Sequence, residues 1–242
     1  MNIALAAYAF KNKDIAFNLR QIERGMRYAQ GRADLLCFGE AFLQGFDALC
    51  WEAAADRRIA LDMNSSAPIR QLCAWTKQYG LALLTGYIEK AENCLYSSCI
   101  VLADGAVLHN YRRVSKGWKD CAKTDAHYRE GKSIGAFSLH GRQLSLAICG
   151  DLWEDPTRFR TQNPLIWPVY VDYSPAEWEA GALEEYASQA ALAADDVLMI
   201  NPIDPQGGSV GGCVHFHKGS VASRTPYAEE RVLVVEMAQQ EK

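Results

Sequence analysis

Cys149 follows an apolar run, residues 144–148, and is itself followed by a glycine and an aspartate. The run is typical of a buried strand, which would place the thiol at the carboxyl end of that strand, where ligands bind in open α/β sheets. Cysteine is intrinsically a strong nucleophile. A free cysteine is more often a packing residue, so this one becomes a nucleophile only if other reactive groups converge on it.

Glu40 occupies a similar position, just after the strand-like run 34–38. A carboxylate that points inward from a strand end is costly unless it is paired. Burial would also raise its pKa and suit it to general-base catalysis. The alternative interpretation is a solvated carboxylate, or a cap of a following helix.

A third segment combines basic, aromatic and glycine residues: Tyr-Arg-Arg-Val-Ser-Lys-Gly-Trp-Lys, residues 111–119. Most basic segments of this length are solvated loops. The aromatic and glycine content predicts instead a loop that folds back onto the protein.

The elements that must position these groups are predicted to be helices and strands. Apolar residues recur every three or four positions from Ile15 to Ala29 and again from Ile69 to Tyr79, which predicts helices. A third helix is expected from about 175 to 194, because Ser174, a following proline and Glu177 form an N-terminal capping signal. Strand-like runs cover residues 2–8, 34–38, 81–87, 96–103, 106–113, 136–139, 143–149, 165–171, 197–201, 213–217, 220–223 and 231–237.

Asp104-Gly105 and His140-Gly141 join two of these strand pairs as hairpins. βα units at both ends of the chain, with hairpins between them, favour an α/β fold of two mixed sheets whose helices lie on the outer faces. The 242 residues contain no linker-like segment, so a single domain over residues 1–242 is expected.

Composition excludes several classes of function. A net charge of −4 argues against a nucleic-acid partner, and no apolar stretch is long enough for a membrane span. The N-terminus lacks the features of an export signal, so the eight cysteines are expected to be reduced thiols in the cytoplasm. They form no C-x-x-C pair, and His215 and His217 fit alternate strand residues better than metal ligands, so no metal site is expected.

Taken together, these motifs resemble the nitrilase, or carbon–nitrogen hydrolase, superfamily. The likeness extends over almost the whole length and rests on the Glu40 and Cys149 segments in this order. Supporting matches are residues 3–5, 18–19, 33–40, 40–46, 95–98, 104–105, 111–113, 144–151 and 201–212. The resemblance implies a four-layer αββα sandwich and a Glu-Lys-Cys triad in which Glu40 and Cys149 take two of the three places.

The third place is where this chain departs from the family. The lysine position falls on Arg113, and the histidine that usually follows two residues later falls on Ser115. Arginine is bulkier, planar and permanently charged, so we expect Lys119, or failing it Lys116, to reach the site from the loop, with Arg113 in the site as the competing outcome. Glu130 is the nearest match to a further glutamate that many members carry. The aromatic residue that usually follows the cysteine is Gly150 here, which leaves room beside the thiol.

The resemblance implies hydrolysis of a non-peptide C–N bond in a small amide, carbamoyl amide or nitrile through a thioester, with no cofactor. The alternative from another class is a non-catalytic or regulatory binding protein on the same scaffold. Acidic residues near the site in sequence, Asp120, Asp125, Glu154 and Asp155, suit either a cationic substrate group or solvated loops. A homodimer or higher homo-oligomer is expected, with its interface near residues 156–163, the 175–194 helix and the tail after Arg231.

Overall fold

Two six-stranded sheets face each other in the structure, a computed structural model that describes residues 1–238. The first sheet has the order β12-β1-β2-β3-β4-β5, and the second has the order β11-β10-β9-β8-β7-β6. The strands of the first sheet are β1 (Asn2–Ala7), β2 (Leu35–Cys37), β3 (Ala82–Ala91), β4 (Cys94–Ala103), β5 (Ala106–Arg112) and β12 (Arg231–Glu236). Those of the second are β6 (Gly135–Leu139), β7 (Arg142–Leu146), β8 (Leu165–Pro168), β9 (Asp196–Ile203), β10 (Val210–His217) and β11 (Ser220–Arg224).

Both sheets are mixed, as the sequence predicts. β1, β2 and β3 pair in parallel, as do β7, β8 and β9, while the remaining neighbours are antiparallel. The turn residues Asp104 and Gly105 both have positive φ, and so do His140 and Gly141. That is the backbone of the two-residue turns that match the twist of a hairpin.

Helices cover the outer face of each sheet, which confirms the αββα sandwich. On the first sheet lie α1 (Ile15–Ala29) and α3 (Ala67–Tyr79), whose buried residues share a cluster with alternate side chains of β1 and β3. Against the second lie α5 (Pro175–Glu177), a π-helical turn (Trp178–Ala182) and α6 (Leu183–Ala193). The Ser174–Glu177 capping box opens α5.

Short helical elements complete the chain: α2 (Ala53–Ile59), α4 (Asp151–Glu154), and 3₁₀ turns at Phe46–Ala48 and Pro156–Phe159. The sequence did not predict α2, since its residues show no clear apolar stripe. Its position depends instead on the buried Asp56 carboxylate, which accepts hydrogen bonds from the Cys50 and Trp51 backbone N–H groups and from the Tyr128 hydroxyl.

The main core lies between the two sheets. Because side chains alternate along a strand, Ile3 and Leu5 of β1 face the second sheet, while Ala4 and Ala6 face the helices outside. Within residues 1–238, no helix has the length and apolar character needed to cross a bilayer.

Candidate active site

The segments that carry Glu40 and Cys149 each follow the carboxyl end of a strand, Glu40 after β2 and Cys149 after β7. The last residue of β8 and the residue that follows it bridge them. The Cys149 backbone N–H donates to the Pro168 carbonyl oxygen (2.9 Å), and the Glu40 N–H donates to that of Val169 (3.3 Å). The facing sheets thus bring together two groups that lie more than a hundred residues apart in sequence.

The Glu40 side chain is 1% exposed and is held by two donors to the same oxygen. The Ser97 hydroxyl donates to Oε1 at 2.9 Å, and Nη1 of Arg113 donates to Oε1 at 2.9 Å. Within residues 1–238, no group donates a hydrogen bond to the second oxygen, Oε2. One carboxylate oxygen is thus fixed by contacts, while the other is free to accept a proton.

Arg113 supplies the positive charge beside Glu40. Its side chain is 4% exposed, and its Nε donates to the Ser115 hydroxyl at 2.6 Å. Burial opposes the charge of the guanidinium, but the Glu40 carboxylate and the Cys149 thiolate form outweigh it and hold the pKa of Arg113 above its ordinary value. A guanidinium stands where the sequence predicted an ammonium.

Cys149 has the left-handed φ of 43°, which is unusual for a residue other than glycine. The Trp167 indole N–H donates to its carbonyl oxygen (2.9 Å), and its thiol contacts the Tyr170 carbonyl oxygen at 3.8 Å. Burial and the negative charge of Glu40 raise the pKa of the thiol to about 12, although Arg113 opposes the shift. At neutral pH the sulfur is therefore protonated and needs a base.

Asp151 ties the nucleophile turn to the segment that carries Arg113. Its carboxylate accepts four hydrogen bonds, from the Ile148, Val114 and Ser115 backbone N–H groups and from the Tyr111 hydroxyl, at 2.7 to 3.1 Å. Multiple donors hold a buried carboxylate firmly in place. This carboxylate therefore helps to fix the Arg113 segment relative to the nucleophile turn.

Gly150 is the site of close contact between these two segments. A Cβ atom at this position would lie 2.3 Å from Nη2 of Arg113 and 3.2 Å from the Ser115 hydroxyl oxygen. Any side chain at position 150 would therefore collide with the Arg113 guanidinium. A side chain at position 150 and the guanidinium at position 113 would compete for one volume.

Gly150→Ala is expected to displace the Arg113 guanidinium and lower kcat by roughly 10- to 100-fold, because small misplacements of catalytic groups have effects of that order. The backbone at Gly150 is right-handed, with φ −61° and ψ −9°, so the methyl group adds no backbone strain. Steady-state kinetics and thermal melting would measure the two effects separately.

The matched control is Gly181→Ala, where an added Cβ meets no heavy atom within 4 Å. An unchanged kcat in Gly150→Ala would show that the guanidinium does not need its present position.

The loop lysines have other partners. Nζ of Lys119 lies 2.6 Å from the Glu130 carboxylate and donates to the Tyr128 carbonyl oxygen, also at 2.6 Å. Lys116 is exposed, and its backbone N–H donates to the Glu154 carboxylate. Of the three candidate cations, the structure brings Arg113 to Glu40, and it joins Lys119 to Glu130 instead.

Trp118 anchors this loop by packing against Tyr128, with ring centroids 6.2 Å apart. Together with Glu40 and Ser97 it lines a small pocket of about 70 Å³. Two further aromatic residues, Phe46 and Trp51, and the carboxylate of Asp47 also line this pocket. Burial, and then the negative charges of Asp204 and Asp172, raise the pKa of Asp47.

Sequence reasoning missed Ser97 and Asp47 as site residues. Ser97 lies on β4 within a strand-like run, and no spacing marks its hydroxyl as a partner of Glu40. The acids that the sequence placed near the site are engaged locally: Asp120 pairs with Lys123, Asp125 with His127, and Asp155 caps the turn at Arg158. Glu154 accepts from the Lys116 and Gly117 backbone N–H groups.

The profile of the carbon–nitrogen hydrolase family matches residues 2–241. Two curated proteins are similar in sequence: a glutamine-dependent NAD(+) synthetase from Thermotoga maritima, 24% identical over 144 residues, and an (R)-stereoselective amidase from Pseudomonas sp., 24% identical over 152 residues. The matches cover 58% and 63% of this chain, but only 24% and 52% of those relatives.

Solved structures show the same fold. A mutant of the amidase from Nesterenkonia AN1 superimposes with a TM-score of 0.77 at 22% identity, over 98% of this chain and 92% of that one. A CN-hydrolase superfamily protein from Xanthomonas campestris, with an arsenic adduct in its active site, gives 0.76 at 17% identity, over 97% and 89%.

Proposed function

Because the chain belongs to the carbon–nitrogen hydrolase family, we propose that it hydrolyses a C–N bond of a small amide, with Cys149 as the nucleophile and Glu40 as the general base. The observation that carries this proposal is the buried Glu40–Arg113 ion pair beside a protonated thiol. A fixed base, a fixed cation and a nucleophile are the parts that acyl transfer through a covalent intermediate requires.

The first step follows from the contacts of Glu40. Its Oε1 is occupied by Ser97 and Arg113, so Oε2 accepts the thiol proton as sulfur attacks the substrate carbon. The C–S bond forms while the carbonyl electrons move to oxygen. The protonated Glu40 then gives its proton to the leaving nitrogen, the C–N bond breaks, and ammonia or an amine departs from a thioester.

Arg113 stabilises the negative charge in this step together with the Gly150 backbone N–H. The guanidinium is held by Glu40 and Ser115, so it needs no reorganisation when the oxyanion forms. Water, activated by the same carboxylate, then attacks the thioester and releases the acid and the thiol. Nothing in this sequence of steps requires a metal or organic cofactor.

The pocket favours a small substrate. Its cavity volume of about 70 Å³ is below the range that is typical of sites for drug-sized ligands. Aromatic walls suit an apolar body, and the Asp47 carboxylate that also lines the pocket suits a cationic group. A small amide, carbamoyl amide or nitrile, with or without an amine, is the substrate class that we propose.

The proposal is tested by measuring ammonia or amine release from a panel of neutral amides, amine-bearing amides, carbamoyl amines and nitriles. Turnover of at least one class by the unmodified protein, and none by Cys149→Ala, is the expected result. Release that continues in the variant, or no release from any class, would contradict it.

A second function, small-molecule binding without turnover, has one observation in its favour: the permanently charged Arg113 stands in the lysine position. A binding protein would show thermal stabilisation by a panel compound that remains chemically unchanged. A hydrolase would convert the same compound to an acid that mass spectrometry detects.

Self-association stays a prediction. Leu192 and Val234, from the regions where the sequence places an interface, are 45% and 39% exposed. Light scattering is expected to give a mass near twice 26.9 kDa or a higher multiple. A monomer mass at working concentration would count against a dimer.

A further inference from the structure

Three side chains of metal-ligating type meet where β9 begins and β10 ends. Asp196 opens β9, and the antiparallel register pairs it with His217 of β10. Nε2 of His215 and Nδ1 of His217 lie 2.8 and 2.9 Å from the same oxygen, Oδ1 of Asp196. All three ligand atoms lie within 4.8 Å of one another.

This cluster is separate from the candidate active site. The far end of β9 approaches the site, since the Ile200 carbonyl oxygen accepts from the Val169 backbone N–H. Asp196 lies four residues earlier, which on an extended strand corresponds to about 13 Å. The steps proposed for Cys149 and Glu40 use none of these three residues.

We propose that Asp196, His215 and His217 bind one divalent first-row transition ion, through Oδ1, Nε2 and Nδ1 respectively. Imidazole and carboxylate ligands suit Zn²⁺, Co²⁺ and Ni²⁺. Three protein ligands leave at least one coordination position for water. The ion would join β9 to β10 at the ends of these strands that are remote from the thiol.

The geometry is close to that of a metal-bound set. Ligand atoms around a tetrahedral ion, about 2.0 to 2.1 Å from the metal, lie about 3.3 Å apart, so the present contacts must open by roughly half an ångström. His217 is 49% exposed and His215 is 14% exposed, so one ring is free to adjust while the other is fixed. Each coordinating nitrogen gives up the proton that it now donates, to solvent or to the other nitrogen of its ring.

The sequence alone argued against this site because two histidines at alternate strand positions are common. The third ligand became visible only through strand pairing. The competing interpretation is a carboxylate that accepts two imidazole hydrogen bonds and takes no ion, and an experiment separates the two.

Co²⁺ is the probe, because its visible absorption distinguishes nitrogen and oxygen ligands from thiolates, and this chain has eight cysteines. Titration of the full chain is expected to give one ion per chain, with visible bands of nitrogen and oxygen coordination and no thiolate charge-transfer band. His217→Ala is expected to weaken this binding by at least about tenfold, since it removes one of three ligands.

The matched control is His127→Ala. His127 also contacts a carboxylate, Asp125, at 2.9 Å, but this pair is not part of the three-ligand cluster. Its loss is expected to leave Co²⁺ affinity unchanged. Because His217 is exposed, His217→Ala is expected to keep the fold intact, and circular dichroism would check this. Failure to bind Co²⁺, thiolate-type spectra, or equal affinity in His217→Ala would each overturn the proposal.

Discussion

Replacing Cys149 with alanine is expected to abolish turnover, with a loss of at least about four orders of magnitude in kcat, as for nucleophiles of covalent catalysis. The fold should survive, because the hydrogen-bond contact of the thiol with the Tyr170 carbonyl oxygen is long, at 3.8 Å. Alanine also keeps the Cβ atom, so the left-handed backbone at this position meets no new group. Ammonia release measures the first effect, and thermal melting the second.

The control for thiol loss in general is Cys121→Ala. Cys121 is exposed, and its sulfur lies 4.0 Å from the Lys119 carbonyl oxygen. It should retain the full kcat. Substantial turnover in Cys149→Ala would remove the nucleophile assignment, whatever the fold of the variant.

Replacing Arg113 with methionine is expected to lower kcat by about 10²- to 10³-fold, the effect of losing one donor to a developing oxyanion. Methionine retains a long, apolar side chain but removes the charge that faces Glu40 at 2.9 Å. Removing one partner of a buried ion pair also destabilises a fold by about 3 to 5 kcal/mol. Melting curves must therefore accompany the kinetics.

Two further variants keep this test decisive. Arg113→Lys preserves the charge but not the fork that contacts both Glu40 and Ser115, so an intermediate kcat is expected. Lys119→Met makes the same charge change on the loop cation that pairs with Glu130, and a small effect is expected. A greater loss in Lys119→Met than in Arg113→Met would assign the role to the lysine.

The sandwich could be predicted from sequence because its signals are local. Two-residue periodicity, the Asp104-Gly105 and His140-Gly141 turns and the Ser174 cap each depend on a few neighbouring residues, and the structure contains all of them. Helix α2 could not be predicted in this way, because Asp56 finds its partner Tyr128 seventy-two residues later.

The residues of the candidate site likewise differ in whether local sequence signals predict them. Glu40 and Cys149 are marked by the strand ends that precede them. The partner of Glu40 depends on how the 113–119 segment folds. Residues from another part of the chain stabilise that fold: Asp151 accepts a hydrogen bond from it, and Gly150 allows its close approach. Likewise, only the pairing of β9 with β10 brings Asp196 to two histidines.

The shared volume at positions 113 and 150 has a consequence for how this sequence can change. A lysine at 113 alone would leave a void beside the thiol, while a side chain at 150 alone would collide with the guanidinium at 2.3 Å. Either single substitution is therefore expected to lower stability or activity, whereas exchanging both residues together conserves the volume. The two positions are expected to be epistatic, so a mutational path back to a lysine with an aromatic neighbour crosses a fitness valley unless both codons change together.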